Sequence, residues 1–228
     1  MGGTFGAFYR ISTWVMKCAA VNLLWFSCNL LVFFAAIYWW KYANGHADLL
    51  VWLSLVLVPL FLFPSSSALM GVIRKWILEE EEPLLLSFFR YYKENFKNSA
   101  AGGFIFTAVW VGWGSQFLSF SNEGFTLFSL LISSFIWTWM MYFLSYQVHF
   151  QASVLQTLKN TLIIAAIRPL ATGTVMVCSL IVLYVSIHFT FFLPFFSTAI
   201  IGYVSFGFFY RVVQQAFTSS QQVSERIF

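Results

Sequence analysis

Charge is what this sequence has least of. Of its 228 residues, 9% are Asp, Glu, Lys or Arg, while 60% are hydrophobic. A soluble domain carries about 25% charged residues and needs polar side chains to cover its surface, so a water-facing exterior is excluded. The net charge of +4 does not mark a nucleic-acid surface, because the basic residues are scattered singly and not gathered on one face. Cysteine is scarce too. Cys18, Cys28 and Cys178 lie in apolar runs at no metal-ligand spacing, which makes them small buried residues. No H-E-x-x-H, G-x-S-x-G or G-x-x-x-x-G-K-[ST] pattern occurs, so the expectation is no enzyme, no cofactor and no direct ATP binding. His149 and His188 have no carboxylate beside them in the sequence.

Long uncharged runs are present instead. Crossing about 30 Å of hydrocarbon takes roughly 20 helical residues. Cys18–Trp40, Leu49–Ile73, Asn98–Ser121 and Gly124–Tyr146 are such runs. Pro169–Tyr210 is too long for one crossing and splits near His188–Pro194, giving spans at 169–188 and 194–214. The fold class expected is all-α: a polytopic membrane bundle of about six transmembrane helices in one domain. No A-x-A site follows the first apolar run, so that run is read as a retained span. Of the 12 Lys and Arg, only Lys41 falls on one side of this topology. Basic residues mark cytoplasmic loops, so both termini are expected in the cytoplasm. The outer turns are Asn44-Gly45-His46 and Ser121-Asn122-Glu123-Gly124.

A local pattern recurs on the basic side. Phe8-Tyr9-Arg10 and Phe88-Phe89-Arg90 are each followed, seven residues after the Arg, by Lys17 or Lys97 and then a span. A weaker copy starts at Phe150 with Lys159 in the matching place. Three hairpins, each entered through an interfacial elbow helix near 4–17, 83–97 and 150–166, account for this. The cause is either a true triplication or the shared chemistry of entering a membrane. In the second elbow Leu85, Phe88, Phe89, Tyr92 and Phe96 recur at helical spacing, with Arg90, Lys93, Glu94 and Lys97 between them. Such a helix anchors in the headgroup layer, its basic residues on anionic lipid, or docks a partner.

Two sets of polar residues are candidate functional positions. Glu79-Glu80-Glu81-Glu82 holds half of the 8 acidic residues. The run is either a solvated helix end or a contact for a basic partner surface. Consecutive helical side chains diverge, so it is a poor metal site. Asn22 and Asn29 share a face of the first span and Gln116 lies in the third. These bond across helix interfaces or line a polar path. Pro64 with Ser65, Ser66 and Ser67 predicts a kink whose carbonyls are satisfied by hydroxyls. Ala68-x-x-Gly71, Ala108-x-x-x-Gly112 and Thr198-x-x-x-Gly202 permit close helix approach. No Asp, Glu, Lys or Arg lies within any of these uncharged runs, which argues against ion-coupled transport and proton pumping.

The stretch Phe63-Pro64-Ser65-Ser66-Ser67-Ala68-Leu69-Met70-Gly71-Val72-Ile73-Arg74-Lys75-Trp76 resembles the YesL-like family of small bacterial membrane proteins. Ser87–Ser99 resembles the same family's elbow, and Phe8-Tyr9 with Asn22-Leu23-Leu24-Trp25 its opening. The resemblance covers roughly residues 1–105. It implies an accessory role in carbohydrate uptake beside sugar ABC importers, with no catalytic residues to carry over. The E-A-A-x-x-x-G loop of importer permeases is missing, so the chain is not expected to be the permease. The expectation is a non-catalytic subunit packing against permease subunits and membrane lipids. A stand-alone small-solute transporter and a membrane sensor of carbohydrate availability are the alternatives.

Overall fold

In lipid the backbone has no water to bond to, so apolar runs resolve into helices that satisfy their own amides. The computed structural model describes residues 4–42, 53, 55–119 and 123–227, and no strand occurs among them. The elements are α1 (Thr4–Cys28), α2 (Leu30–Tyr42), a π-helical turn Val58–Leu62 (π1) leading into α3 (Phe63–Ile77), α4 (Leu84–Ser119), α5 (Glu123–His149), α6 (Val154–Ile167), α7 (Pro169–His188), and a second π-helical turn Leu193–Ser197 (π2) leading into α8 (Thr198–Ile227). The turn at Asn44-Gly45-His46, the start of the expected second span and Ser121-Asn122 lie outside the described residues.

Among the described residues, five helices are long and apolar enough to cross a membrane: Gly6–Cys28, Leu55–Ile77, Gly124–His149, Pro169–His188 and Leu193–Ala216. The chain is a multi-pass helical membrane bundle. The sequence leads one to expect six crossings. The missing one, Asn98–Ser121, falls in the second half of α4, where Gly, Ser, Thr and Gln dilute the apolar residues. That half nevertheless lies along α5. Gln147 Nε2 near the end of α5 donates to Asn95 O (3.2 Å) and Ser99 Oγ (2.9 Å). Trp113 Nε1 donates to Ser133 Oγ at 2.9 Å near the other end.

The elbows differ from expectation in continuity. Residues 4–17 and 83–97 are not separate helices. They form the first halves of α1 and α4, which run unbroken through Lys17 and Lys97. No proline interrupts either junction, and extending a helix costs far less than nucleating a new one. The break in the first helix comes later, at Asn29, between α1 and α2, so the long apolar helix there starts twelve residues before Cys18, at Gly6. Only α6 is a free-standing elbow. Ser153, in extended conformation, caps it by accepting from Gln156 N, and Pro169 at the first position of α7 starts the next helix.

Packing is cyclic. Helices α3, α5 and α8 all touch one another and form the centre. Each outer helix sits in the groove between two of them: α1 against α3 and α8, α4 against α3 and α5, α7 against α5 and α8. Each therefore packs on the central helix that follows it in the chain and on the one from the preceding hairpin. The centre is filled by Phe88, Phe106, Tyr142, Phe143, Phe206 and Phe209, all fully buried. Outside, Leu170, Val177, Leu180, Ile181, Tyr184 and Ile187 of α7 are exposed, a surface made for lipid.

Both π-turns have the same local cause and sequel. Pro59 and Pro194 stand at their starts, removing a donor and widening the turn. Behind them come Ser66-Ser67-Ala68-Leu69-Met70-Gly71 in α3 and, across the junction of π2 and α8, Ser197-Thr198-Ala199-Ile200-Ile201-Gly202. An outer helix then covers each turn, α4 over π1 and α1 over π2. At Gly103 of α4 an added Cβ would lie 2.9 Å from the Pro59 Cα, so only glycine permits that approach.

Candidate functional site

A cleft of about 1000 Å³ opens at the basic end of the bundle. One wall is a single face of α1, with Tyr9, Arg10, Thr13, Trp14 and Lys17. The opposite wall is the end of α3 and the loop to α4, with Lys75, Trp76 and the run Glu79–Glu82. Tyr203 of α8 closes the back, its ring edge-on to Trp14 at 5.8 Å. Two walls of opposite charge thus face each other across an open space.

The acidic wall is built by the way α3 stops. The Glu80 N–H donates to Lys75 O (2.9 Å) and the Glu79 N–H to Trp76 O (3.4 Å), the paired bonds of a Schellman ending. This ending needs a left-handed residue, and Glu79 takes it with φ 56°. The chain then turns so that Glu82 points back across both helix ends. Its Oε2 pairs with Lys75 Nζ and accepts from Ser87 Oγ at 2.6 Å. Arg90 approaches both carboxylate oxygens, at 2.7 and 2.6 Å. The Arg90 guanidinium, then Lys75 and Ser87, hold the Glu82 carboxyl down from 4.5 to about 2. Glu80 lies 3.6 Å from Arg74 and 3.8 Å from Lys75. Lys75 is itself only 7% exposed, and a buried ammonium requires such partners. Arg74 donates to Tyr91 OH at 3.3 Å, completing the α3–α4 junction.

The four glutamates therefore do different things. Glu82 and Glu80 are committed within the chain. Glu79 and Glu81 are exposed in the cleft wall and make no ion pair among the described residues. Arg10 and Lys17, also exposed, make none across it. The elbow residues divide likewise. Arg90 belongs to the Glu82 clamp, whereas Lys93 and Lys97 project outward from α4. The apolar stripe expected to face lipid also splits, because Phe88 is fully buried on α3 while Leu85, Phe89 and Phe96 remain outside.

The intramembrane polar residues do not meet. Asn22 is fully buried, donating through Nδ2 to Leu193 O and accepting through Oδ1 from Ala199 N, both at 2.9 Å. It reaches into π2 and bonds backbone groups at the start of α8. Asn29 Nδ2 donates to Trp25 O and Ser65 Oγ, each at 2.7 Å, and Trp25 Nε1 donates to Ser66 Oγ at 2.9 Å. Ser65 Oγ in turn donates to Phe61 O (2.7 Å), a hydroxyl satisfying a carbonyl in the π-turn just before Pro64. Gln116 is exposed on the outside of α4. A path lined by Asn22, Asn29 and Gln116 is not what these positions form, because two amides are spent on helix contacts and the third faces away. Sequence reasoning passed over Lys75, Ser87 and Tyr203. For Lys75 the signal was there: a lysine one turn before the end of an apolar helix, with carboxylates five and seven positions on.

A family model described as "Protein of unknown function, DUF624" matches residues 18–117. The matched stretch contains Asn22, Asn29, Gln116, the Glu79–Glu82 run and the basic residues Arg90, Lys93 and Lys97. The chain is similar to the uncharacterized protein YesV of Bacillus subtilis (strain 168), 27% identical over 213 residues, covering 88% of this chain and 96% of that protein. It is also similar to the uncharacterized protein YteU of the same organism, 24% identical over 217 residues, covering 92% and 87%. No solved structure matches.

Proposed function

We propose that the chain is a non-catalytic accessory subunit in a bacterial plasma membrane, working by docking a partner in the two-signed cleft. The partners best suited are the permease subunits of an oligosaccharide ABC importer. That choice rests on the resemblance of Phe63–Trp76 and Ser87–Ser99 to the YesL-like family. The observation that carries the docking role is the cleft itself. Glu79 and Glu81 on one wall and Arg10 and Lys17 on the other have no ion-pair partner among the described residues, and Trp14, Trp76 and Tyr203 flank them. Opposed charges of both signs with aromatic anchors give a partner orientation and register more than raw affinity.

In this reading the chain crosses the membrane six times, with α4 the sixth crossing beside α5, and both termini and the cleft lie in the cytoplasm. The lysine and arginine distribution supports this orientation. The chain supplies no reaction and binds no nucleotide. Its partner does the transport. Cross-linking tests the proposal. A photoreactive residue at Glu81, in protein purified from its native membrane in mild detergent, is expected to capture a permease subunit. Capture should fall when Arg10 and Lys17 are both replaced by Gln. Recovery of the chain with no permease or ATPase subunit would count against it.

A further inference from the structure

A second polar cavity, of about 510 Å³, lies on another side of the bundle, lined by Arg168, Arg211, Gln214, Gln215 and Thr218. Two guanidinium groups 43 positions apart in sequence come together here, from the α6–α7 corner and from α8. Among the described residues, no acidic side chain lines the cavity. Neither arginine makes an ion pair among the described residues, unlike Arg74, Lys75 and Arg90, which all have glutamate partners.

The arginines are also held in place. The Arg168 N–H donates to Ile164 O at 3.2 Å and Arg168 O accepts from Thr172 N at 3.0 Å. Thr172 Oγ1 locks the corner by donating to Ala165 O at 2.8 Å. Arg211 stacks over Phe208, its guanidinium carbon 5.6 Å from the ring centre. Their depth is informative. Arg168 immediately precedes the apolar helix Pro169–His188, and Arg211 lies in the last turns of Leu193–Ala216. The cavity therefore opens at the rim of the hydrocarbon layer, next to Ile167 and Leu170, which are 67% and 88% exposed.

From this placement we infer that the Arg168–Arg211 cavity binds the phosphodiester headgroup of an anionic phospholipid. A guanidinium fork matches two phosphate oxygens at once. Gln214 and Thr218 offer amide and hydroxyl groups to a glycerol headgroup, and Ile167 and Leu170 lie where the acyl chains descend. Basic cavities between helices at the membrane surface take anionic headgroups on these grounds.

Native mass spectrometry of the full chain in detergent, titrated with phosphatidylglycerol or phosphatidylcholine, tests the assignment. The expected result is one retained phosphatidylglycerol, bound about tenfold more tightly than phosphatidylcholine. The R168Q/R211Q double variant should lose that preference, while R10Q/K17Q, which removes the cleft's basic pair, should keep it. If R168Q/R211Q does not fold, R168K/R211K serves, retaining charge but losing the fork, and should bind more weakly than wild type. Equal binding of the two lipids, or a preference that survives loss of both arginines, would overturn the proposal. Displacement of the lipid by equimolar inorganic phosphate would overturn it too, since the site would then be one for free phosphate.

Discussion

At the scale of single residues, Glu82 does most to decide how the charged end of the bundle holds together. It joins α3 to α4 through Lys75, Ser87 and Arg90. Its carboxyl titrates at about 2 in the folded chain against 4.5 ordinarily. A folded-state value below the unfolded one means that the stabilisation is complete above pH 4.5 and is lost as pH falls through the window down to about 2. Glu82→Gln should therefore melt at a lower temperature than wild type at pH 7. The gap between the two proteins should narrow steadily below pH 4.5. Thermal unfolding in detergent, followed by circular dichroism across that range, reads both effects. A gap that stayed constant with pH would mean that the carboxylate charge is not what binds the two helix ends. Part of this residue-level picture was legible beforehand: four glutamates after Arg74-Lys75 promised an electrostatic feature. Which glutamate would turn inward was not legible, because that depends on the single left-handed residue that reverses the chain.

At the scale of elements, that residue defines how α3 ends. Glu79 takes φ 56° to complete the Schellman bonds to Lys75 and Trp76, a conformation that costs a residue with a Cβ roughly 1 kcal/mol. Glycine is the ordinary occupant. Glu79→Gly should stabilise the bundle by about 1 kcal/mol, seen as a raised melting temperature, unless the negative charge at this point repays its strain by engaging the partner. Stabilisation together with lost cross-linking from position 81 would identify Glu79 as a residue kept for contact at the expense of stability. The elements also show where hydropathy patterns mislead. A stretch such as Arg10–Lys17 reads as an interfacial elbow because it is amphipathic and basic. Nothing in its sequence stops the helix, so it continues into the span. The π-turns were legible only as prolines. Their closure by Asn22 in one case and by Gly103 in the other depends on a helix far away in sequence.

At the scale of the whole molecule, the open question of design is parity, and α4 decides it. By composition five helices among the described residues qualify as crossings, and an odd number puts the two termini on opposite sides. By packing, α4 lies along α5 for about 21 Å at 1.5 Å per residue, from Ser99 beside Gln147 to Trp113 beside Ser133. On the six-crossing proposal, a helix so placed crosses with α5. Its deficit of apolar residues is no obstacle, since Ala100, Gly102, Gly103 and Phe106 face protein, not lipid. The cyclic arrangement points the same way, because α4 occupies for α3 and α5 the groove that α1 and α7 occupy for their neighbours. The two countings differ at Glu81 and Gln151, both exposed and outside the helices. With α4 crossing, these residues lie on the same side of the membrane. Without it they lie on opposite sides, since α5 intervenes alone. In a variant with Cys18, Cys28 and Cys178 replaced, single cysteines at positions 81 and 151 should both resist a membrane-impermeant maleimide in intact cells and both react in inverted vesicles. A cysteine at Lys41 should show the reverse. Reaction of 81 and 151 from opposite faces would remove α4 from the membrane and reverse the orientation of everything after it.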